Sequence, residues 1–156
     1  MEIFRKHKTA TSCVLLAITL IVGIMAGTNF YNFRHYQELV IPGQGVTETF
    51  KLSKYFSGIE GTIGDTDVYV LKGEGEGGSM LVLGGTHPNE PSGHLAALTL
   101  IESGKLDAGT LYVIPRANNS AFTHNDSQEG SPHFYHLTTK SGEREFQYGS
   151  RATNPI

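Results

Sequence analysis

The chain has 156 residues, of which 17% are charged and 38% hydrophobic, with 19 glycines and a formal net charge of -3. That composition is globular, and neither disordered nor collagen-like. With a slight negative charge, nothing points to a nucleic-acid partner, which would favour a basic face. The single cysteine, Cys13, cannot close an internal disulfide and lies in an apolar stretch.

Residues 9–33 carry no charged side chain, and Ala10 to Gly27 is mostly apolar. About 20 such residues cross the hydrocarbon core as a helix. Arg5, Lys6 and Lys8 precede the block and only Arg34 follows closely. This asymmetry predicts a cytoplasmic segment over 1–9 and a transmembrane helix or signal anchor over 10–30, with the remainder exported. A cleaved signal peptide is the rival, although Ile24 is bulky for a position two before Ala26. Phe30, Tyr31, Phe33 and Tyr36 suit a membrane surface.

Residues 31–60 read as a linker and a first strand: Pro42, Gly43 and Gly45 mark a turn, and Val46 to Leu52 a short strand. Asp67 to Lys72 suits a strand near a sheet edge. The run from Gly73 to Gly78 predicts a hairpin turn. Ser79 to Gly84 is a short continuous apolar run, as expected of a strand buried on both faces.

Pro91 suits the first position of a helix, with Asn89 or Glu90 at or beside its cap. Leu95, Leu98, Ile101 and Leu106 recur near helical spacing, and Gly104 offers a left-handed stop. Thr110 to Pro115 is a second buried strand. The strand–helix–strand unit predicts parallel strands joined by a right-handed crossover. Ligands of such sheets bind beyond the carboxyl ends of the strands. His87 and Glu90 follow the end of one strand and Arg116 the end of the other, so all three share a rim. Residues 117–156 are polar, show no strong period and read as functional loop.

Hydrolytic zinc commonly takes three ligands from His, Asp and Glu and keeps one position for water. A histidine and a glutamate three residues apart at a strand-to-helix junction can bend toward one metal. Gly84 and Gly85 permit the sharp turn, and the Thr86 hydroxyl is at hand as support. His-x-x-Glu alone is a weak signal. Its plainer explanation is a surface histidine beside a helix-capping acid. Placement after a buried strand and two glycines strengthens the metal alternative. No Gly-x-Ser-x-Gly elbow of a serine hydrolase is present.

The stretch Leu-Gly-Gly-Thr-His-Pro-Asn-Glu-Pro-Ser-Gly, residues 83–93, resembles the zinc signature of the succinylglutamate desuccinylase/aspartoacylase family, within the zinc carboxypeptidase-like hydrolases. Val113 to Asn118 adds a weaker likeness, and the resemblance runs from about Asp67 to the C-terminus. It implies an α/β fold with a mixed, largely parallel sheet and flanking helices. Residues 61–156 would be the N-terminal part of the hydrolase domain.

It also implies a Zn2+ cofactor held by His87 and Glu90, and hydrolysis of an amide or peptide bond in a small carboxylate-bearing substrate. Arg116 would take the carboxylate with its bidentate fork. The family's Asn-Arg substrate pair has Ser150-Arg151 as its nearest counterpart, with the Asn missing. Its third zinc ligand is a histidine well downstream and its general-base glutamate lies later still, so both are expected beyond Ile156. His124, His133 and His136 are the local candidates for a third ligand. Deacylase and carboxypeptidase chemistry both stay open. The alternative outside enzymes is a non-catalytic, membrane-tethered binding module that keeps the fold.

Overall fold

The computed structural model describes residues 2–124 and 131–152, with side chains from residue 8 onward. The polar stretch 125–130 and the last residues, 153–156, lie outside the described residues. The chain divides into two units, residues 1–35 and 36–156.

The first unit is one helix, α1 (Glu2–Arg34). Its segment Lys8–Arg34 spans 27 residues at a mean hydropathy of 2.2 with none of its window buried. At 1.5 Å per residue it extends about 40 Å, more than the roughly 30 Å of a hydrocarbon core. Leu15, Leu16, Leu20, Ile24 and Met25 all point outward, which a water-exposed helix does not tolerate. Thr19 Oγ1 donates to Leu15 O at 2.9 Å, so its hydroxyl is satisfied within the helix. By length and composition this helix can cross a membrane.

The second unit is built on a four-stranded sheet of order β1-β2-β4-β3. Its strands are β1 (Val46–Lys51), β2 (Asp67–Lys72), β3 (Gly75–Leu83) and β4 (Ala108–Ile114). Helix α2 (Pro91–Ser103) connects β3 to β4, and these two strands are parallel as the strand–helix–strand pattern requires. The other two pairings, β1 with β2 and β2 with β4, are antiparallel. The sheet is therefore mixed, and the largely parallel sheet expected from the resemblance is corrected.

Two strand assignments also change and one holds: β2 lies beside the edge strand β1, near a sheet edge. Tyr69 and Leu71 face α2 while Val68 and Val70 are buried on the other side, so its two faces are both apolar and no alternation marks them apart. The run Gly73 to Gly78 is not a hairpin turn, because β4 inserts between β2 and β3. Only Gly73 and Glu74 connect them, and Gly75 to Gly78 begin β3. Gly73 and Gly77 are glycines for closeness: a Cβ would come within 2.3 Å of Ala108 N and 2.8 Å of Gly109 N respectively. Finally, β3 is not covered on both faces. It is an edge strand, and Met80, Leu81 and Leu83 are more than half exposed.

Pro91 opens α2 and Glu90 is its cap residue, as the sequence predicts. Gly104 ends the helix, but in extended conformation, with φ -67° and ψ 142°. It is required for space: a Cβ there would meet Leu100 O at 2.4 Å. Ala97, Leu98 and Ile101 of α2 pack on Tyr69, Leu71, Leu111 and Val113 of the sheet. Burying each such side chain contributes roughly 1.5–3 kcal/mol.

The C-terminal region, expected as irregular, holds a one-turn helix α3 (Asn119–Phe122) and a hairpin of β5 (Phe134–Thr139) and β6 (Gly142–Gln147). Tyr135, Leu137 and Phe146 join the core while His136 and Thr138 face outward. The inward position opposite Leu137 is taken by Arg144, whose guanidinium is bidentate on Glu102 of α2 at 2.9 and 2.8 Å and lies 4.9 Å over Phe146.

Candidate functional site

The carboxyl ends of β3 and β4 open onto one another. Gly84 N donates to Ile114 O, and Gly84 O and Gly85 O accept from Ala117 N and Asn118 N at 2.8 and 3.3 Å. Gly85 adopts φ +61°, and a Cβ on it would meet Pro115 O at 2.6 Å and the Phe122 ring at 2.9 Å. Only glycine satisfies both the angle and the space. The two loops are thereby laced together, and the shared rim read from the sequence is present in the backbone.

After the glycines, Pro88 is fully buried, and Gly149, just beyond β6, allows the chain to pass close to it. Tyr148 Oη donates to Asn89 O at 2.8 Å, and Glu90 N to His87 O at 2.9 Å. These contacts leave the side chains of His87 and Glu90 pointing outward, 37% and 53% exposed. His87 Nδ1 and Glu90 Oε2 are 3.4 Å apart. Glu90 makes no side-chain capping bond to α2, so its carboxylate is not consumed by the helix end. Arg151 Nη2 lies 3.4 Å from the other oxygen of Glu90. His87, Glu90 and Arg151 are thus brought together.

Arg116 is elsewhere engaged. Its side chain is 11% exposed, its ring-stacking face lies 4.3 Å over Phe122, and its fork is filled by Glu38. Nε donates to Glu38 Oε1 at 2.9 Å, Nη2 bonds Glu38 Oε2, and Nη2 also donates to Gln147 Oε1 at 3.2 Å. Burial pushes the guanidinium down to about 9, which leaves it cationic at neutral pH. His94 of α2 completes the group. Its Nδ1 lies 2.8 Å from Pro115 O and its Nε2 lies 2.7 Å from Glu38 Oε1, at ion-pair distance but without hydrogen-bond alignment. Burial lowers the imidazole from its ordinary value, against a smaller raising effect of the Pro115 carbonyl. A cavity of about 380 Å³ borders Glu38, His94 and Arg116, and reaches Lys51, Tyr69 and Asn119.

Glu38, His94 and Gln147 were not singled out from the sequence. Two of them left a trace. His94 falls in register with Ala97, Leu98 and Ile101 on the apolar face of α2, and Glu38 is the lone acid before Leu39, Val40 and Ile41. A charge in either place needs a buried partner.

Of the other histidines, His124 has a buried Nδ1 with no partner among the described residues. His133 lies just before β5 and its carbonyl accepts from Tyr148 N. His136 is on the outward face of the hairpin, with Nε2 3.7 Å from Glu145 Oε2. Among the described residues no three His, Cys, Asp or Glu side chains form a group able to hold a metal. The chain matches no family model, no curated protein and no solved structure.

Proposed function

We propose that this chain belongs to a membrane-anchored, zinc-dependent hydrolase of amide or peptide bonds in carboxylate-bearing substrates, with a zinc carboxypeptidase-like fold. In this reading the N-terminus is cytoplasmic and the hydrolase part lies outside the cytoplasm. The observation that carries it is the 3.4 Å separation of His87 Nδ1 and Glu90 Oε2. Two donors each about 2.0–2.2 Å from one tetrahedral zinc stand roughly 3.3–3.5 Å apart. The pair therefore fits the metal with little movement.

A zinc ion there would supply a polarised water near neutral pH. The chain's own residues do the rest of what is visible. Gly85 and Pro88 fix the loop that aims His87 and Glu90. Arg151, beside Glu90, would orient a substrate carboxylate, whereas the fork of Arg116, the other arginine expected in that role, is taken by Glu38.

Zinc content of the purified full chain tests the proposal. Wild type is expected to retain zinc, and His87→Ala and Glu90→Ala to lose it, while His136→Ala keeps it. Equal zinc in wild type and His87→Ala would sink the assignment. A second reading, a non-catalytic binding module of the same fold, is favoured by the finding that only two donors converge among the described residues. Zinc bound at the pair with no hydrolysis of N-acyl amino acids would select it.

A further inference from the structure

We infer that the loop between β1 and β2 carries a lipid-contacting tip, Tyr55 and Phe56, that seats in the headgroup region of a zwitterionic membrane. The inference rests on the reading of α1 as a membrane-crossing helix and is independent of the zinc proposal.

The tip is a pair of aromatic rings presented to solvent. Tyr55 and Phe56 stand between two single turns of helix, Leu52–Lys54 and Ser57–Ile59, and are 69% and 65% exposed. One exposed ring on a protein surface is ordinary. Here two adjacent residues are exposed, and they continue onto the half-buried Phe50. The Tyr55 ring meets Phe50 edge-on at 5.5 Å between centroids, and Lys54 Nζ lies 4.2 Å over the same ring. Aromatic rings with a lysine beside them suit the boundary between lipid headgroups and acyl chains.

The loop holds these rings out. Leu52 N donates to Thr66 O at 2.8 Å, and Ser53 gives both its N and its Oγ to the Asp65 carboxylate, at 3.0 and 2.7 Å. Asn119 Nδ2 in turn donates to Ile63 O and Asp65 O. At Gly58 a Cβ would stand 2.7 Å from the Phe56 ring, so that ring rests on bare backbone. Rings held in this way lose little conformational freedom when they meet a partner.

Charge decides the kind of surface. Lys54 pairs with Glu48 at 2.8 Å and Lys51 with Asp67 at 3.0 Å. The cations beside the rings are neutralised within the molecule, so the tip matches a zwitterionic interface better than an anionic one. The partner is within reach. α1 ends at Arg34, and the unit that bears the loop begins at Tyr36. A compact unit of this size is roughly 35 Å across, so a membrane crossed by α1 stays within about that distance of the loop in any orientation. Tethering at such range makes the contact intramolecular, and a weak interfacial affinity then suffices.

The chain has no tryptophan, so a single introduced one reports alone. The full chain with Phe56→Trp is reconstituted in phosphatidylcholine vesicles. Its emission is expected to be blue-shifted, and to be quenched by roughly half when the lipid is brominated near the top of its acyl chains, the depth of interfacial side chains. The quenching should persist in high salt. Lys140→Trp, on the hairpin that packs at the α2 side of the sheet, should not be quenched. Leu16→Trp, quenched by bromine deep in the chains, tests the anchor separately.

If Phe56→Trp does not fold, Tyr55→Trp takes its place. An unquenched tip overturns the inference, and a blue shift without quenching identifies a protein surface as the occupant instead. Quenching that needs anionic lipid or disappears in high salt also overturns it, as does equal quenching of Lys140→Trp. An unquenched tip beside a quenched Leu16→Trp leaves the anchor standing alone; if neither is quenched, both readings fall. Adding His87→Ala should change none of these signals.

Discussion

Replacing Gly85 and Gly93 by alanine should move stability in opposite directions, although both glycines lie within the same eleven-residue stretch. At Gly85 the alanine must hold φ +61°, which costs an L-residue roughly 1–2 kcal/mol. Its Cβ would also stand 2.6 Å from Pro115 O and 2.9 Å from the Phe122 ring. The first of these is backbone, held by its neighbours on β4 and by His94, and it cannot swing aside. Overpacking of this kind adds about 1–3 kcal/mol, for a total near 2–5 kcal/mol.

At Gly93 the alanine enters the first turn of α2, where the nearest atom to its Cβ is 3.9 Å away. Helix propensity then favours it by up to about 1 kcal/mol. Urea denaturation of the full chain in micelles, followed by tyrosine fluorescence, gives both numbers. A Gly85→Ala protein within about 0.5 kcal/mol of wild type would refute the account of how the two loops are laced. On the proposed zinc reading, Gly85→Ala should also weaken zinc binding, because that lacing aims His87, and Gly93→Ala should leave it unchanged.

Arg144→Ala should cost about 2–4 kcal/mol, since it strands the mostly buried Glu102 and uncovers Phe146, and Arg144→Lys should restore only part of this because the fork is lost; thermal unfolding of the three proteins checks the order. His94 gives a pH dependence. Its folded value is depressed below the ordinary 6.5 by burial, so the unfolded chain takes up a proton that the folded one refuses. The stability due to His94 is full above about pH 6.5 and is lost as pH falls through the folded value. His94→Gln should flatten the profile between pH 5 and 7.5, and an unchanged slope would show the histidine is not its source. Leu81→Lys, on the exposed edge strand, should change stability by less than about 0.5 kcal/mol while lowering self-association in light scattering.

Much of the architecture was legible because it rests on short-range signals. Pro91 starts α2, the apolar spacing of Leu98 and Ile101 faces it inward, and the runs ending at Leu83 and Ile114 mark the parallel pair. Strand order was not legible, because it is set by which strand slots between which. The glycine run after β2 carries the composition of a hairpin turn even though β4 separates its flanks. The β5–β6 hairpin was obscured for a different reason. Its alternation is present in Tyr135, Leu137 and Phe146, but Arg144 holds one inward position, and a charged residue there breaks the pattern unless Glu102 is known to meet it. The cradle around Arg116 joins residues 78 apart in sequence, and no local spacing announces such a pair.

The outer edge of β3 has a geometric consequence for the His87–Glu90 pair. Its backbone groups on that side face no neighbour in the sheet, and Met80, Leu81 and Leu83 leave apolar surface beside them. A strand that joined this edge would run about 4.8 Å from β3. If it lay parallel, it would finish next to Gly84, one strand's width from the turn that carries His87. On the proposed zinc reading, a donor carried at the end of such a strand would reach the His87–Glu90 pair from the side toward which β3 points.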